Sequence, residues 1–437
     1  MGWQIFDGRP LAAKLTVIAA IVLGLMIPLS LLRGLIAERS TMRAQAVETV
    51  AKGWGGSLQF GGLVLKIPFD VERKLLNGEV CVDTHHLYIL ADSLDVEATL
   101  DHTITRKVGI YGVPVYLVHA RLNGSFKMSD VIAAATLPTY PNATFRWKDA
   151  TVRLPVSDVR SIREVSLATL DKRAMTFGPS AGGGPPGVES KIDLSDFLHE
   201  SSLAFTLDMV LAGSQSISFL PTAAVTKTDL RAGWPDPQFQ GSFLPSQYAI
   251  DTNGFKAQWQ VLALNRSFPQ SWVDAQIDAA AFAESAYGTG LFQSVDVYQR
   301  SERAVKYALV FIALTFLSFF SWECVAKLQI HSMQYLFIGL ALSTFYLLLI
   351  ALSEHLPFWM SFWSAAAALV TLIGIYIAGA LDRIRFGAIV ACIMTLVYGL
   401  LYMLVLSESN SLLMGAIALF GVLAAIMITT RRVRWGL

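Results

Sequence analysis

Residues 328–353 read LQIHSMQYLFIGLALSTFYLLLIALS, an unbroken stretch without Asp, Glu, Lys or Arg. An α-helix rises about 1.5 Å per residue, so a helix of about 20 apolar residues crosses the hydrocarbon core of a bilayer. This stretch therefore predicts a transmembrane helix. Similar stretches occur elsewhere in the chain, so we expect a membrane protein with several transmembrane helices.

Five further charge-free stretches extend this prediction to six transmembrane helices, one N-terminal and five C-terminal. They are 15–32, 307–322, 356–381, 386–407 and 409–430. The stretch 307–322 is short, but long side chains at its ends, Arg303, Lys306 and Glu323, can reach the interface. For 15–32 the alternative is a cleaved signal peptide, whose apolar region would have about 7–15 residues and precede an A-x-A site. We expect a retained helix, kinked at Pro28.

The composition agrees with a chain that lies partly in a membrane. Hydrophobic residues make up 54% of the 437 residues and charged residues 15%, against about 45–50% and about 25% in soluble domains. A net charge of +1 gives no electrostatic basis for binding nucleic acid. Cys324 and Cys392 lie in or beside apolar stretches, so Cys81 has no partner for a disulfide in the polar part.

The short loops predict the orientation. Basic residues follow the second, fourth and sixth predicted helices, whereas the loops 353–355 and 407–410 contain neither Lys nor Arg. By the positive-inside rule both termini are cytoplasmic and the long middle region is periplasmic. The predicted order is a tail and first helix at 1–37, a periplasmic domain at 38–303, a five-helix bundle at 304–430 and a cytoplasmic tail at 431–437.

Alternating polar and apolar residues dominate the middle region. Apolar side chains recur at every second position in 94–100, 203–211 and 255–261, and turn pairs such as Asn253-Gly254 separate such stretches. This period is typical of β-strands with one buried face, so we expect a large all-β domain of antiparallel, sandwich-like sheets. The Gly/Pro-rich run 178–187 predicts a loop that divides the domain into two halves.

Motifs that suggest chemistry are weak. Residues 178–182 match G-x-S-x-G, but a nucleophile elbow needs a helix after the serine, and a Gly/Pro run follows instead. His85 and His86 are adjacent on a predicted strand, where neighbouring side chains face opposite sides and cannot chelate one ion. The predicted helices carry no charged residue at mid-membrane, where transporters and pumps usually have one. We therefore predict no catalytic residue, cofactor or metal site and expect the protein not to be an enzyme.

Several longer motifs resemble the CreD family of bacterial inner-membrane proteins. They include the segments 295–298 (VDVY), 303–307 (RAVKY), 352–355 (LSEH), 234–237 (WPDP) and 110–116 (IYGVPVY). The resemblance covers nearly the whole chain. It implies an inner-membrane protein of cell envelope integrity, expressed under a two-component system in an envelope-stress setting, with no established catalytic residues.

Two functional hypotheses follow. In the first, the β domain binds an envelope component (a protein, a lipid or peptidoglycan), and the bundle anchors it in the lipid bilayer or relays its state. In the alternative, the protein is a transporter or a lipid-handling protein whose substrate path lies in the bundle. A polar cavity that reaches mid-membrane would favour the alternative, and a tightly packed bundle would favour the first.

Charged residues near the helix ends are the candidate functional or docking residues. They are Arg303, Lys306, Glu323, Glu354, His355 and Glu408. Arg303 and Lys306 lie one turn apart, on one helix face. We expect Glu354 or Glu408 to pair with them and so dock the β domain onto the bundle. The competing interpretation is that these are solvated loop charges, worth about 1 kcal/mol at most when paired.

Overall fold

The computed structural model describes residues 10–74, 80–136, 139–180, 186–274, 279–291, 297–326, 331–380 and 384–407, with separate positions between 413 and 428. The chain forms two compact units. We call Met1–Arg43 together with Val295–Leu437 the helical unit, and Ala44–Ser294 the β unit.

Eight α-helices have described bounds. They are α1 Pro10–Gly24, α2 Met26–Trp54, α3 Met128–Ala134, α4 Ala279–Glu284, α5 Val297–Ala326, α6 Ser332–Ser353, α7 Phe358–Ala380 and α8 Ile384–Leu406. Five described stretches are long and apolar enough to cross a membrane: Lys14–Trp54, and one each in α5 to α8. The predicted class is confirmed, but the described count is five rather than six, because the predicted helix 409–430 lies mostly outside the described residues.

The first predicted helix has a one-residue break at Leu25, across which the Leu25 and Leu29 N–H groups still donate to the carbonyls four residues earlier, those of Ile21 and Leu25, as in a kinked helix. Helix α1 ends at Gly24 and α2 begins at Met26. A proline has no N–H to donate, and its ring clashes with the carbonyl four residues earlier, which for Pro28 is that of Gly24. The break therefore falls one turn before Pro28, and α2 then continues well past the apolar stretch to Trp54.

The β unit contains eighteen described strands. They are β1 Leu58–Gly61, β2 Val64–Lys74, β3 Val80–Val108, β4 Tyr111–Lys127, β5 Thr144–Phe145, β6 Ala150–Pro155, β7 Ile162–Leu170, β8 Arg173–Ala174, β9 Gly178–Pro179, β10 Gly187–Ile192, β11 Ser202–Ser214, β12 Ser216–Leu220, β13 Ala223–Ala232, β14 Gln238–Gly241, β15 Gln247–Asp251, β16 Gly254–Leu262, β17 Ser271–Val273 and β18 Tyr287–Gly290. Fourteen form one sheet, and β1, β12, β18 and β14 form a smaller one in that order.

The long strand β3 organises the larger sheet. Up to Leu90 it pairs antiparallel with β2, and from Ser93 onward it pairs antiparallel with β4. Beyond β2 the sheet continues through β6, β10 and β9, and beyond β4 through β11, β7 and β8. The predicted antiparallel, β-rich class is confirmed, although β1–β12 and β3–β13 are parallel pairs. Alternation within one strand cannot reveal the long crossover connections that parallel pairs need.

The alternation predicted for 203–211 is realised in β11. Its apolar side chains at every second position, Leu203 to Leu211, are at most 2% exposed and belong to one core cluster that extends from Leu58 to Leu291. The composition of the Gly/Pro-rich run 178–187 predicts a loop, but the run is not a loop throughout. Its ends form β9 and β10, which pair antiparallel through Gly178–Glu189 and Pro179–Val188.

Candidate functional site

Glu354 is the predicted site residue with the most defined surroundings. It forms the C-cap of α6, where the helix macrodipole is negative and a carboxylate is unfavourable by about 0.3–1 kcal/mol at a surface position. Its side chain is only 11% exposed. A carboxylate in that position needs nearby donors or cations to offset the cost.

Two side chains on other helices supply them. Nε of Arg39 on α2 lies 3.5 Å from Oε1 of Glu354, and the hydroxyl of Tyr298 on α5 donates to the same oxygen at 3.3 Å. We call Arg39, Tyr298 and Glu354 the Glu354 cluster. The cluster joins α6 to the helix that precedes the β unit in the sequence and to the helix that follows it.

The other predicted residues are distributed differently. Lys306 is exposed and pairs at 3.4 Å with Glu302, one turn earlier on α5, so the recorded ion pair is a local one. Arg303 is half-buried on the same helix, and its pairing with Glu354 stays a prediction. His355 is exposed, and its backbone N–H donates to the Leu352 carbonyl at 3.0 Å.

Two predicted residues have no described side chain. Glu323 lies within α5, but its side chain is outside the described part of the chain, and Glu408 is outside the described residues altogether. Close to the Glu354 cluster in sequence, the guanidinium of Arg300 lies 5.6 Å from the ring centre of Phe358, the first residue of α7. This cation–π contact ties α5 to α7 near the same loop.

The Glu354 cluster is better suited to holding helices together than to catalysing a reaction. An exposed ion pair contributes about 1 kcal/mol or less, whereas removing one partner of a buried pair costs about 3–5 kcal/mol. With Glu354 nearly buried and Arg39 37% exposed, this pair lies between the two limits. Sequence reasoning missed both Arg39 and Tyr298, although Tyr298 ends the family-like segment 295–298.

A second polar cluster lies entirely in the β unit. Arg153 is 1% exposed, and its Nε and Nη2 lie 2.7 and 2.6 Å from Oε1 of Glu189, its neighbour across the β6–β10 pair. The ammonium of Lys66 on β2 reaches the same oxygen at 3.4 Å. We call Lys66, Arg153 and Glu189 the Arg153 cluster.

The serine of the G-x-S-x-G match is held by this cluster. The Ser180 hydroxyl lies 3.1 Å from Oε1 of Glu189 and is also bonded to Arg153. The next described element is the strand β10, not the helix that a nucleophile elbow requires. Ser180 is therefore placed to brace the ion pair.

The histidine pair is linked by one carboxylate. Nδ1 of His85 lies 2.6 Å from Oδ2 of Asp274, and the backbone N–H of His86 donates to Oδ1 of Asp274 at 2.8 Å. Asp274 adopts a left-handed φ of 50°, uncommon for a residue other than glycine. Nδ1 of His86 also lies 3.8 Å from Oδ1 of Asp274, so both imidazoles are near the same carboxylate, while His85 stacks on Phe69 and His86 lines a cavity.

Comparison with known proteins agrees with the motif resemblance. The sequence model of the family described as CreD, Inner membrane protein CreD, matches residues 10–436. The Inner membrane protein CreD of Escherichia coli (strain K12) is 30% identical over 431 residues, covering 98% of this chain and 94% of that protein. The match includes the polar β unit as well as the apolar helices, so shared hydrophobicity does not explain it. The chain belongs to the CreD family of inner membrane proteins.

Proposed function

We propose that this protein supports the integrity of the cell envelope, or the response to envelope stress, as a non-enzymatic protein of the inner membrane. In this proposal the β unit lies in the periplasm and binds an envelope component, while the helical unit anchors it. The observation that carries the proposal is the insertion of one large polar β unit between apolar helices in a chain of an inner-membrane family.

The orientation in this proposal is supported by the loop charges. Lys327, Arg383, Arg385 and three arginines after residue 430 would face the cytoplasm, where basic loop residues are retained. The loops at 353–355 and 407–410 would face the periplasm. The β unit lies in the sequence between the first and second predicted spans, so it would lie on the periplasmic side, where the first span ends and the second begins.

The described interior of the helices favours an anchor over a transporter. Between α5 and α8 there is a cavity of about 20 Å³, lined mainly by apolar side chains, with space for about one water. The Thr315 hydroxyl beside it donates to the Phe311 carbonyl at 2.7 Å. A larger open groove of about 1150 Å³ on α7 and α8 is lined mainly by apolar and small residues, with one hydroxyl, Thr371, about midway along α7 and one charged residue, Arg385, in the first turn of α8. A path for a polar substrate would need polar groups further along the helices.

Topology is tested with reporter fusions. A reporter that is active only in the cytoplasm should be active after Arg434 and silent after Gly184. Activity after Gly184 would place the β unit in the cytoplasm and overturn the proposal.

The envelope role is tested in cells that lack the gene. We expect increased sensitivity to detergent and to large antibiotics that an intact envelope excludes, restored by the full chain. Restoration by a chain without the β unit, at equal abundance in the membrane, would show that the β unit binds nothing needed for this role. Normal envelope resistance in the deletion strain would overturn the role itself.

A further inference from the structure

The β unit contains an open cavity of about 630 Å³ on one face of the sheet formed by β2, β6 and β10. In the strand register Lys66 of β2 and Lys191 of β10 both lie opposite Thr151 of β6. The three residues therefore form a row across three strands, and all three line the cavity. Lys66 and Lys191 each lie one strand away from Thr151, so their backbones are about 10 Å apart and an anion has room between the two side chains.

The Arg153 cluster lies beside this row of three residues, on the same face of the sheet. Arg153 and Glu189 are cross-strand neighbours two residues along from Thr151 and Lys191, so their side chains emerge on the same face. Lys66 is 7% exposed and Arg153 is 1% exposed, and both contact Oε1 of Glu189. Removing such charges from water is costly, so a buried charge cluster at an open cavity is a candidate binding site with a physical rationale.

The cavity wall adds another cation and a free hydroxyl. Arg146 lines it with a side chain 42% exposed, and its guanidinium lies 3.5 Å from both Asp70 and Asp149. The Thr151 hydroxyl is buried and has no hydrogen-bond partner among the described residues. Lys66, Arg146 and Lys191 thus outnumber the acidic lining residues, Asp149 and Glu189.

We propose that this cavity binds a phosphate group carried by an envelope molecule, with Lys66 and Lys191 on either side of it and the Thr151 hydroxyl donating to it. Several separate donors and cations suit the three oxygens of a phosphate. The cavity exceeds the size of a bare phosphate, so the group would be attached to a larger molecule, either a phospholipid or a soluble sugar or glycerol phosphate. The proposal deepens the proposed function, since it names the chemistry of the bound envelope component.

The binding test uses the full chain purified in an uncharged detergent. Inorganic phosphate and glycerol 3-phosphate are titrated by calorimetry, with acetate as a carboxylate comparison. Both phosphates should bind, and acetate should bind at least about tenfold more weakly, because it offers fewer oxygens and less charge. Acetate binding as tight as phosphate binding, or no phosphate binding at millimolar concentration, would overturn the proposal.

Three variants locate the site. Lys191→Gln removes an exposed cation, and Thr151→Val removes the hydroxyl at nearly constant volume, so neither should unfold the β unit. Each should weaken phosphate binding about tenfold, the scale of one hydrogen bond to a charged group. Lys227→Gln, which changes an exposed strand lysine of β13 outside the cavity, is the matched control. Equal weakening by Lys227→Gln, or unchanged binding by both cavity variants, would overturn the assignment.

Vesicles distinguish the two sources of phosphate. Binding of the reconstituted chain to added vesicles of phosphatidylglycerol, with Lys191→Gln reducing it, would identify a lipid headgroup. Binding of soluble glycerol 3-phosphate without such a vesicle effect would identify a soluble ligand. The two proposals fail in different experiments. A deletion strain with a normal envelope would refute the proposed function even if the purified chain binds phosphate. Absence of phosphate binding would refute only the cavity proposal.

Discussion

Replacing Glu189 by glutamine should destabilise the β unit strongly. The substitution keeps the size of the side chain but removes the carboxylate whose Oε1 contacts Arg153 at 2.7 Å and Lys66 at 3.4 Å. Both cations are nearly buried, so neither can regain full hydration when the carboxylate is lost. A neutral amide can still accept a hydrogen bond, but it cannot balance their charge.

The expected cost follows from burial. Breaking a buried ion pair by removing one partner costs about 3–5 kcal/mol, against about 0–1 kcal/mol for an exposed pair. Because about 1.4 kcal/mol corresponds to a factor of ten, Glu189→Gln should raise the open population of the surrounding strands by about a hundredfold or more. The control is Asp196→Asn, which removes the partner of Arg173 at 2.9 Å in a pair exposed by 61% and 55%.

Hydrogen exchange followed by mass spectrometry measures this on the full chain in detergent. Peptides that cover β6 and β10 should exchange much faster in Glu189→Gln and nearly unchanged in Asp196→Asn. Equal effects of the two substitutions would refute the reasoning, since the argument depends on burial alone. A triple variant, Lys66→Met and Arg153→Met with Glu189→Leu, should recover much of the protection, because it removes both nearly buried cations together with the carboxylate that balances them.

Three further outcomes are expected. Glu354→Gln should lower the apparent unfolding temperature of the helical unit by an amount equivalent to about 1–3 kcal/mol. Glu302→Gln, on the exposed surface of α5, should change this temperature little. Equal shifts in the two variants would contradict the argument from burial. Burial, followed by the charge of a neighbouring lysine, lowers the pKa of His86 from 6.5, so the unfolded chain takes up this proton at a higher pH than the folded β unit. Stability measured by urea unfolding between pH 7.5 and 5 should therefore fall as the pH drops below about 6.5 and should fall less in His86→Gln, and an unchanged slope would contradict this. Gly124→Ala would place a Cβ 2.6 Å from a backbone carbonyl oxygen of β3 and should lower the free energy of unfolding by about 1–3 kcal/mol. Gly233→Ala should be tolerated, because the nearest atom to its Cβ would lie 3.8 Å away. Thermal unfolding of the two variants compares them.

The membrane class and the strand-rich middle region were predictable because both depend on local periodicity. A charge-free stretch of sufficient length reports a helix in lipid, and alternation in 203–211 reports which side chains of β11 face the core. The limits of elements were less predictable. The polar second half of α2 continues the helix to Trp54 without an apolar signal, and the break before Pro28 depends on a steric clash in the preceding turn.

The charged clusters were not predictable from the same signals, because they depend on which strands and helices become neighbours. In β6, Arg153 alternates with Val152 and Leu154, both in the core, so its position indicates a solvent-facing residue. It is buried because the β9–β10 hairpin brings Glu189 and Ser180 over it, and the hairpin arises from a Gly/Pro-rich run whose composition indicates a loop. Glu354 was singled out from the sequence, but its partner Arg39 is more than 300 positions away.

The two clusters separate the anchoring hypothesis from the relaying one. The Arg153 cluster lies wholly in the β unit, whereas the Glu354 cluster lies wholly in the helical unit and joins α2 and α5, the helices through which the chain enters and leaves the β unit. If the helical unit only anchors, weakening the Glu354 cluster should leave envelope function intact as long as the protein stays inserted at normal abundance. If the helical unit relays the state of the β unit, the same substitution should impair function at unchanged abundance and unchanged phosphate binding, because a relay needs α2 and α5 to be held in defined positions. Loss of function in Glu354→Gln with intact binding would therefore favour a relay, and full function would leave the helices the single task of holding the β unit at the membrane.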